Sequence, residues 1–187
     1  MLGFSASRMK TFICCCGNTL HFENTQCLGC GRRVAFLPDA LVVAALEPLA
    51  GQGLRALLPW QWDVRYRPCR NDTDYQVCNW VVRDDDAEAY CVSCRLNRVI
   101  PDLSSARNVQ LWRRIEDAKR RLMYTVLRLG LPFVGGDHGT QGGLGFRFLA
   151  DTDPGNGFSF HIPPRERVLT GHEDGLITIN LAEADTV

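Results

Sequence analysis

Four cysteines between Tyr66 and Leu103, namely Cys69, Cys78, Cys91 and Cys94, stand in the order C-x8-C-x12-C-x2-C. Two thiolates two residues apart on a tight turn can both point at one ion without straining the backbone, which is what a tetrahedral zinc site asks of adjacent residues. Cys69 and Cys78 are the nearby candidates for the other two ligands. The 21 residues between Cys69 and Cys91 are enough for a short hairpin to bring the halves together. The pattern reads as a closed, structural four-cysteine zinc site. A smaller version lies upstream in FICCCGNTLHFENTQCLGCG, where Cys14 with Cys16 and Cys27 with Cys30 form C-x-C-x10-C-x2-C. Gly17, Gly29 and Gly31 supply the permissive backbone on which amides turn toward thiolates. Cys15 is left over, although Cys14 and Cys15 could exchange roles. Nine cysteines thus resolve into two sets of four plus one, which implies two structural Zn²⁺ ions.

The competing reading of the cysteines is a disulfide framework, which needs an oxidising compartment. The opening MLGFSASRMKTF has neither an apolar stretch of signal-peptide length nor a small-residue cleavage site, so a cytoplasmic location is expected. The apolar run from Ala40 to Leu49 is too short for a membrane span and contains Glu47 and Pro48. Lys+Arg and Asp+Glu balance at 21 each, so no global basic field draws nucleic acid. Locally, Arg32, Arg33, Arg65, Arg67, Arg70, Arg95 and Arg98 flank the cysteines. Four thiolates on one zinc leave a net negative cluster, and guanidinium and amide donors nearby offset it. That explanation is preferred over a phosphate-binding patch.

The elements that must position these cysteines follow from periodicity and breakers. Residues 1–9 read as an extension and 10–38 as a first zinc ribbon, with Thr19–Phe22 a short strand. His21 is read as a strand side chain, since four cysteines are already available. Residues 39–64 read as a linker with short helices, one over Ala40–Leu46 and a helical turn over Leu54–Leu58, closed by prolines. Residues 65–104 form the second four-cysteine region, its small core filled by Trp60, Trp62, Tyr66 and Trp80. From Ala106, Trp112, Ile115, Ala118, Leu122, Val126 and Leu129 recur at helical steps, capped by Ser104–Ser105 and ended by Gly130 and Pro132. Arg113, Arg114, Glu116, Asp117, Lys119, Arg120 and Arg121 are placed on its solvated faces. Beyond a glycine-rich loop, Leu144–Leu149 and Leu176–Leu181 read as strands. The fold class is α+β: two small zinc ribbons, then a long helix and a partial sheet.

Taken together, MKTFICCCGNTLHFEN with CLGCG, YRPC, VCNWVV, YCVSCRLNRVIPDLS, W-x2-I-E-x-A-K-R-R-L-x-Y, FLADTD and LTGH-x-DGLITIN-x-AEAD resemble a bacterial family of zinc-ribbon, zinc-binding metallopeptidase-like proteins. The resemblance runs from Lys10 to Asp185. It implies two amino-terminal metal knuckles followed by a zincin-like peptidase domain over residues 105–187. It further implies that the strand at Ile177–Asn180 is followed, in the family, by a helix bearing His-Glu-x-x-His.

This sequence does not contain that motif. A catalytic zinc of that class needs two histidines one helical turn apart, with a glutamate beside the first. His172–Glu173 is followed by Leu176 where the second histidine would stand, and His21, His138 and His161 are isolated. The chain therefore reads as the amino-terminal half of such a protein, truncated before its active centre, with no catalytic residues of its own. Its expected partner is the missing catalytic half or another protein, recruited by the ribbons and an unpaired strand at Leu176–Leu181. Self-association through incompletely covered Leu122, Val126, Leu144, Phe146, Ile177 and Ile179 is a further expectation. Nucleic-acid binding through ribbon arginines and aromatics is the weakest reading.

Overall fold

The computed structural model describes residues 10–51, 53–60, 63–135, 143–151 and 168–185. The amino-terminal extension, Trp62, His138, His161 and most of the glycine-rich loop and of the 151–164 connection lie outside the described residues. The chain divides into two compact units, Met1–Thr73 with Asn79–Cys91, and Asp74–Cys78 with Val92–Val187.

In the first unit β1 (Phe12–Ile13) and β2 (Thr19–Leu20) form a small antiparallel hairpin. Then β3 (Val34–Leu37), β4 (Val42–Pro48), β5 (Leu54–Ala56), β6 (Arg65–Pro68) and, after the short helix α1 (Arg70–Tyr75), β7 (Val81–Arg83) build one antiparallel sheet in sequence order. The sheet curls until its two end strands meet, where the Phe36 amide donates to the Asn79 carbonyl at 2.9 Å. Ala35, Leu37, Ala44, Leu46, Ala56, Leu58, Tyr66 and Val81 fill one core. The Tyr66 hydroxyl donates to Asp39 Oδ2 at 2.8 Å, which satisfies the single polar atom of that buried ring.

The helical linker expected over residues 39–64 is not formed. Val42–Pro48 and Leu54–Ala56 are strands of the sheet. Alanine and leucine favour a helix locally, but Val43, Ala44, Ala45 and Leu46 are all buried: Ala44 and Leu46 line the core, Val43 and Ala45 alternate to the opposite face, and β1 packs against β4. A strand buried on both sides reads as a continuous apolar run, which periodicity cannot tell from a buried helix. Leu41, held at φ 54°, makes the reversal between β3 and β4.

The expectation for the aromatics divides. Trp80 is wholly buried, its ring 4.4 Å from Phe36 and 6.2 Å edge-on from Phe22. Asn79 Nδ2 donates to the Phe22 carbonyl at 2.7 Å and fixes the same cluster from the backbone side. Trp60, by contrast, is 69% exposed.

In the second unit β8 (Asn97–Val99) leads into α2 (Ala106–Arg128), followed by β9 (Gly145–Leu149), β10 (Gly171–Glu173) and β11 (Leu176–Asn180). The sheet order is β10-β11-β9-β8, with β9 parallel to both β8 and β11. The helix begins where the sequence places it, with Ser105 Oγ accepting from the Asn108 amide. It ends in a Schellman motif: Gly130, at φ 63°, donates to Leu127 and Leu131 donates to Val126. The strand at Leu176–Asn180 is not an open edge as expected. Asp174 and Gly175 (φ 47° and 86°) form a tight reversal that lays β10 along its outer side, so β11 is paired on both flanks.

The helix face also differs from the expected one. Ala118 and Leu122 are exposed, while Leu111, Trp112, Ile115, Met123 and the charged Glu116, Lys119 and Arg120 are buried. Lys119 rests against the rings of Phe146 and Phe148, 5.3 and 5.4 Å from their centroids. Glu116 Oε1 accepts from Asn97 Nδ2 (2.7 Å), Trp112 Nε1 (3.1 Å) and Lys119 Nζ (2.9 Å). Charges can occupy an inner face when each one finds such partners.

This face makes a direct prediction. Met123→Ala should cost about 2–5 kcal/mol of stability, as the emptying of a filled core site does. Leu122→Ala, half exposed, should stay within about 0.5 kcal/mol. Denaturant titrations of the two variants would reverse this ranking if the inner face ran through Ala118 and Leu122.

Candidate metal centres

The first centre grows out of two turns. After β1, the Cys14 amide donates to the Asn18 carbonyl (2.9 Å) and Gly17 donates back to the Cys14 carbonyl (2.8 Å), a reversal that needs Gly17 at φ 88°. The second turn repeats this arrangement. Cys27 donates to Arg32 (2.9 Å), and Gly31, at φ 71°, donates to Cys27 (2.8 Å). A Cβ at Gly29 would meet the Asn18 side chain at 3.0 Å and the Cys16 sulfur at 3.4 Å, so a larger residue there would push against the knuckle.

These turns bring the sulfurs of Cys14, Cys16, Cys27 and Cys30 within 4.8 Å of one another. Cys14 and Cys30 are 3.7 Å apart, as are Cys16 and Cys27. A disulfide would hold its sulfurs at about 2 Å. Four sulfurs about 2.3 Å from a shared zinc stand about 3.8 Å apart along the edges of the tetrahedron. The observed separations fit the second arrangement. Cys15, exposed, lies 3.9 Å from the Cys14 sulfur but outside the group of four.

The local electrostatics prepare thiolates. The backbone amides of Cys30 and Gly29 are aimed at the Cys27 sulfur and outweigh its burial, bringing its pKa down to about 6. The Arg32 amide, helped by its guanidinium, lowers the Cys30 thiol in the same way. Burial pushes the Cys14 thiol up, so that residue needs the metal most to give up its proton. Of the flanking arginines, Arg32 serves this centre directly. Arg33 pairs with Asp72, and Arg67 donates to the Asp86 carbonyl.

The second centre is wholly buried. The sulfurs of Cys69, Cys78, Cys91 and Cys94 lie within 4.8 Å of one another, with Cys78 and Cys94 3.7 Å apart. Cys69 closes β6 and opens α1, its amide held by the Trp80 carbonyl (3.2 Å) and its own carbonyl accepting from Asp72 (2.9 Å). The Cys91 amide points at the Cys69 sulfur at 3.4 Å. Cys94 begins a single helical turn, Cys94–Leu96, that delivers the chain to β8.

Sequence reasoning missed one residue here. Arg120, assigned to the solvated face of α2, is buried and donates through Nη1 to the Val77 carbonyl at 2.6 Å, one residue before Cys78. Burial works against its charge, but the Cys78 sulfur, the carboxylates of Glu116 and Asp117 and the Cys94 sulfur together hold it firmly protonated. The missed signal was spacing: Glu116, Lys119 and Arg120 are three and four residues apart, and so share a face with Trp112 and Met123.

The His-Glu pair is no metal site. His172 and Glu173 sit on the exposed strand β10, opposite Ile177 and Leu176. Their side chains therefore alternate across a sheet and are not a helical turn apart. Among the described residues, no helix is long and apolar enough to cross a membrane.

Replacement of Cys16 by Ser should remove one of two bound zincs, whereas Cys15→Ser should keep both, as read by metal content per chain. Stripping the metal with a chelator should unfold the ribbons, since binding free energy of about 10–16 kcal/mol is folding free energy in such sites. An unchanged near-ultraviolet circular dichroism spectrum after complete zinc removal would contradict this.

Comparison with known families places these centres in context. The zinc-ribbon domain family matches residues 11–105, and the family described as "putative zinc-binding metallo-peptidase" matches residues 108–187. Uncharacterized proteins of two Mycobacterium tuberculosis strains and of Mycobacterium bovis are each 34% identical over 180 residues, which is 96% of this chain and 45% of theirs. The chain thus spans about half the length of the curated relatives it matches. No solved structure matches it significantly. With two four-cysteine groups spaced for zinc and these matches over nearly its whole length, the chain is a zinc-binding protein belonging to the zinc-ribbon domain family, and its remaining segment is similar to the family described as "putative zinc-binding metallo-peptidase".

Proposed function

We propose that this chain is the zinc-stabilised, non-catalytic portion of a metallopeptidase-like protein. Cys14, Cys16, Cys27 and Cys30 hold one ion and Cys69, Cys78, Cys91 and Cys94 the other. The observation that carries the reading is the closure of both groups: four sulfurs at tetrahedral spacing leave no coordination position for water or a substrate carbonyl. When bound, each zinc supplies folding free energy and a fixed backbone, not a nucleophile. The amides of Gly29, Cys30 and Cys91 and the guanidinium of Arg32 stabilise the thiolates that such an ion requires.

The catalytic part of the proposal lies beyond these residues. Peptide hydrolysis of the zincin kind needs a His-Glu-x-x-His helix, which the sequence does not contain. The α2 helix and the parallel strands β8, β9 and β11 would act as the framework on which such a centre is built. The natural partner is then the remaining half of a longer polypeptide. The exposed Leu122, Leu129 and Leu131 at the end of α2 offer it apolar surface, and the same surface would support self-association.

Zinc-loaded chain mixed with a degenerate peptide library should give no cleavage above buffer. A longer homologue carrying both halves should cleave, and should stop when its His-Glu-x-x-His glutamate is replaced. Turnover by the 187-residue chain itself would overturn the division of labour.

A further inference from the structure

The sequence of α2 offers five basic residues to solvent between positions 113 and 121, yet Arg120 is withdrawn from water. Its exposure is 3%. A buried guanidinium is costly unless every donor is answered. Arg120 donates hydrogen bonds to the Val77 carbonyl at 2.6 Å and to the Asp117 carboxylate, and forms an ion pair with Glu116 Oε2 at 3.9 Å. Two of these are three and four residues back, one turn away on its own helix. The third is not local, since Val77 lies 43 residues earlier in the chain.

That third contact is informative. The Val77 carbonyl belongs to the same rigid peptide plane as the Cys78 amide. A guanidinium that pins this oxygen sets the orientation of the peptide from which the Cys78 side chain departs. Cys78 in turn sits 3.7 Å, one tetrahedral edge, from Cys94. Glu116 holds the other side of the arrangement, because its Oε1 is fixed by Asn97, Trp112 and Lys119. Asn97 follows directly on the turn that carries Cys94. Both cysteines are therefore braced, through Val77 and through Asn97, by neighbouring residues of one helix face.

We propose that Arg120 is a positioning residue of the second zinc site, holding the peptide that presents Cys78 so that metal retention there depends on helix α2. The inference goes beyond the assignment of the ligands, because Arg120 lies in the segment that matches the metallo-peptidase family, outside the zinc-ribbon match at residues 11–105. A site bounded by its ligands alone would be indifferent to this helix. The guanidinium charge also faces thiolates that, with zinc bound, keep a net negative charge. Lysine reproduces only the charge, since it lacks the planar fork that engages the carbonyl and the carboxylate together.

The experiment uses the full chain, loaded with zinc, as wild type and as Arg120→Gln, Arg120→Lys and the exposed control Arg113→Gln. Each is titrated with a chelator, and the cysteines freed at each step are alkylated and mapped by mass spectrometry. The wild-type titration reports separately whether the second centre holds zinc at all. Arg120→Gln should release zinc from Cys78 and Cys94 at about 10–100-fold lower chelator strength, the usual effect of losing a residue that orients a ligand. Cys14, Cys16, Cys27 and Cys30 should stay protected as in wild type. Its melting temperature should recover as free zinc is raised, by mass action on the folded state. Arg120→Lys, which keeps the charge and the helix, should fall between the two. Wild-type protection of Cys78 and Cys94 in either Arg120 variant would overturn the proposal. So would a loss of stability that is the same at every zinc concentration, which would mark Arg120 as a packing residue alone.

Discussion

Four sulfurs within 4.8 Å of one another repel once they are thiolates, and a shared cation relieves that repulsion. This constraint underlies the rest of the structure. The first centre joins β1, β2 and the turn before β3, elements of two to four residues that bury too little apolar surface to persist alone. The second centre is set at the end of β6, beside α1 and before β8, where the chain changes direction several times within 30 residues. Metal and fold are therefore one equilibrium: the ligands are assembled by turns whose geometry the ion in turn stabilises.

The negative charge left on each cluster shapes the surroundings differently in the two places. At the first centre, near the surface, backbone amides and Arg32 are enough, and water is close by. At the second, where all four cysteines are buried, compensation must come from inside the protein. A helix that would otherwise turn an ordinary apolar stripe inward instead brings Glu116, Lys119 and Arg120, balanced two against two when Asp117 is counted. Such a network is tolerable because Glu116 Oε1 accepts three hydrogen bonds and Oε2 is left facing the Arg120 guanidinium, and it ties the helix to one register on the sheet.

The curled five-stranded sheet performs a related task with apolar material. Phe22, Phe36 and Trp80 form a cluster of tilted and edge-on rings where the end strands meet, and the Asn79 side chain clamps the loop that leads from β2 toward Cys27. The sheet thus provides the rigidity that short zinc knuckles lack. The knuckles are held at one end by metal and at the other by this aromatic contact.

Cysteine spacing by itself marked both groups of four, because ligands close in sequence can reach one ion through a tight turn and little else, but it left Cys14 and Cys15 interchangeable, and the structure brings Cys14 into the group. Local signals likewise determined the extent of α2, since Ser105 and Gly130 act on the backbone next to them. The residues over 39–64 were not legible in this way. A run such as Val43–Leu46 is buried on both faces, and burial erases the periodicity that distinguishes strand from helix. The inner face of α2 was hidden for a different reason. Glu116 and Arg120 look like solvent-facing charges until Asn97, Trp112 and Val77 arrive to pair with them, and those partners lie elsewhere in the chain or are read as part of the apolar stripe. Only the tertiary structure decided which charges were affordable inside, because the desolvation of an ion is offset by neighbours that sequence proximity does not reveal.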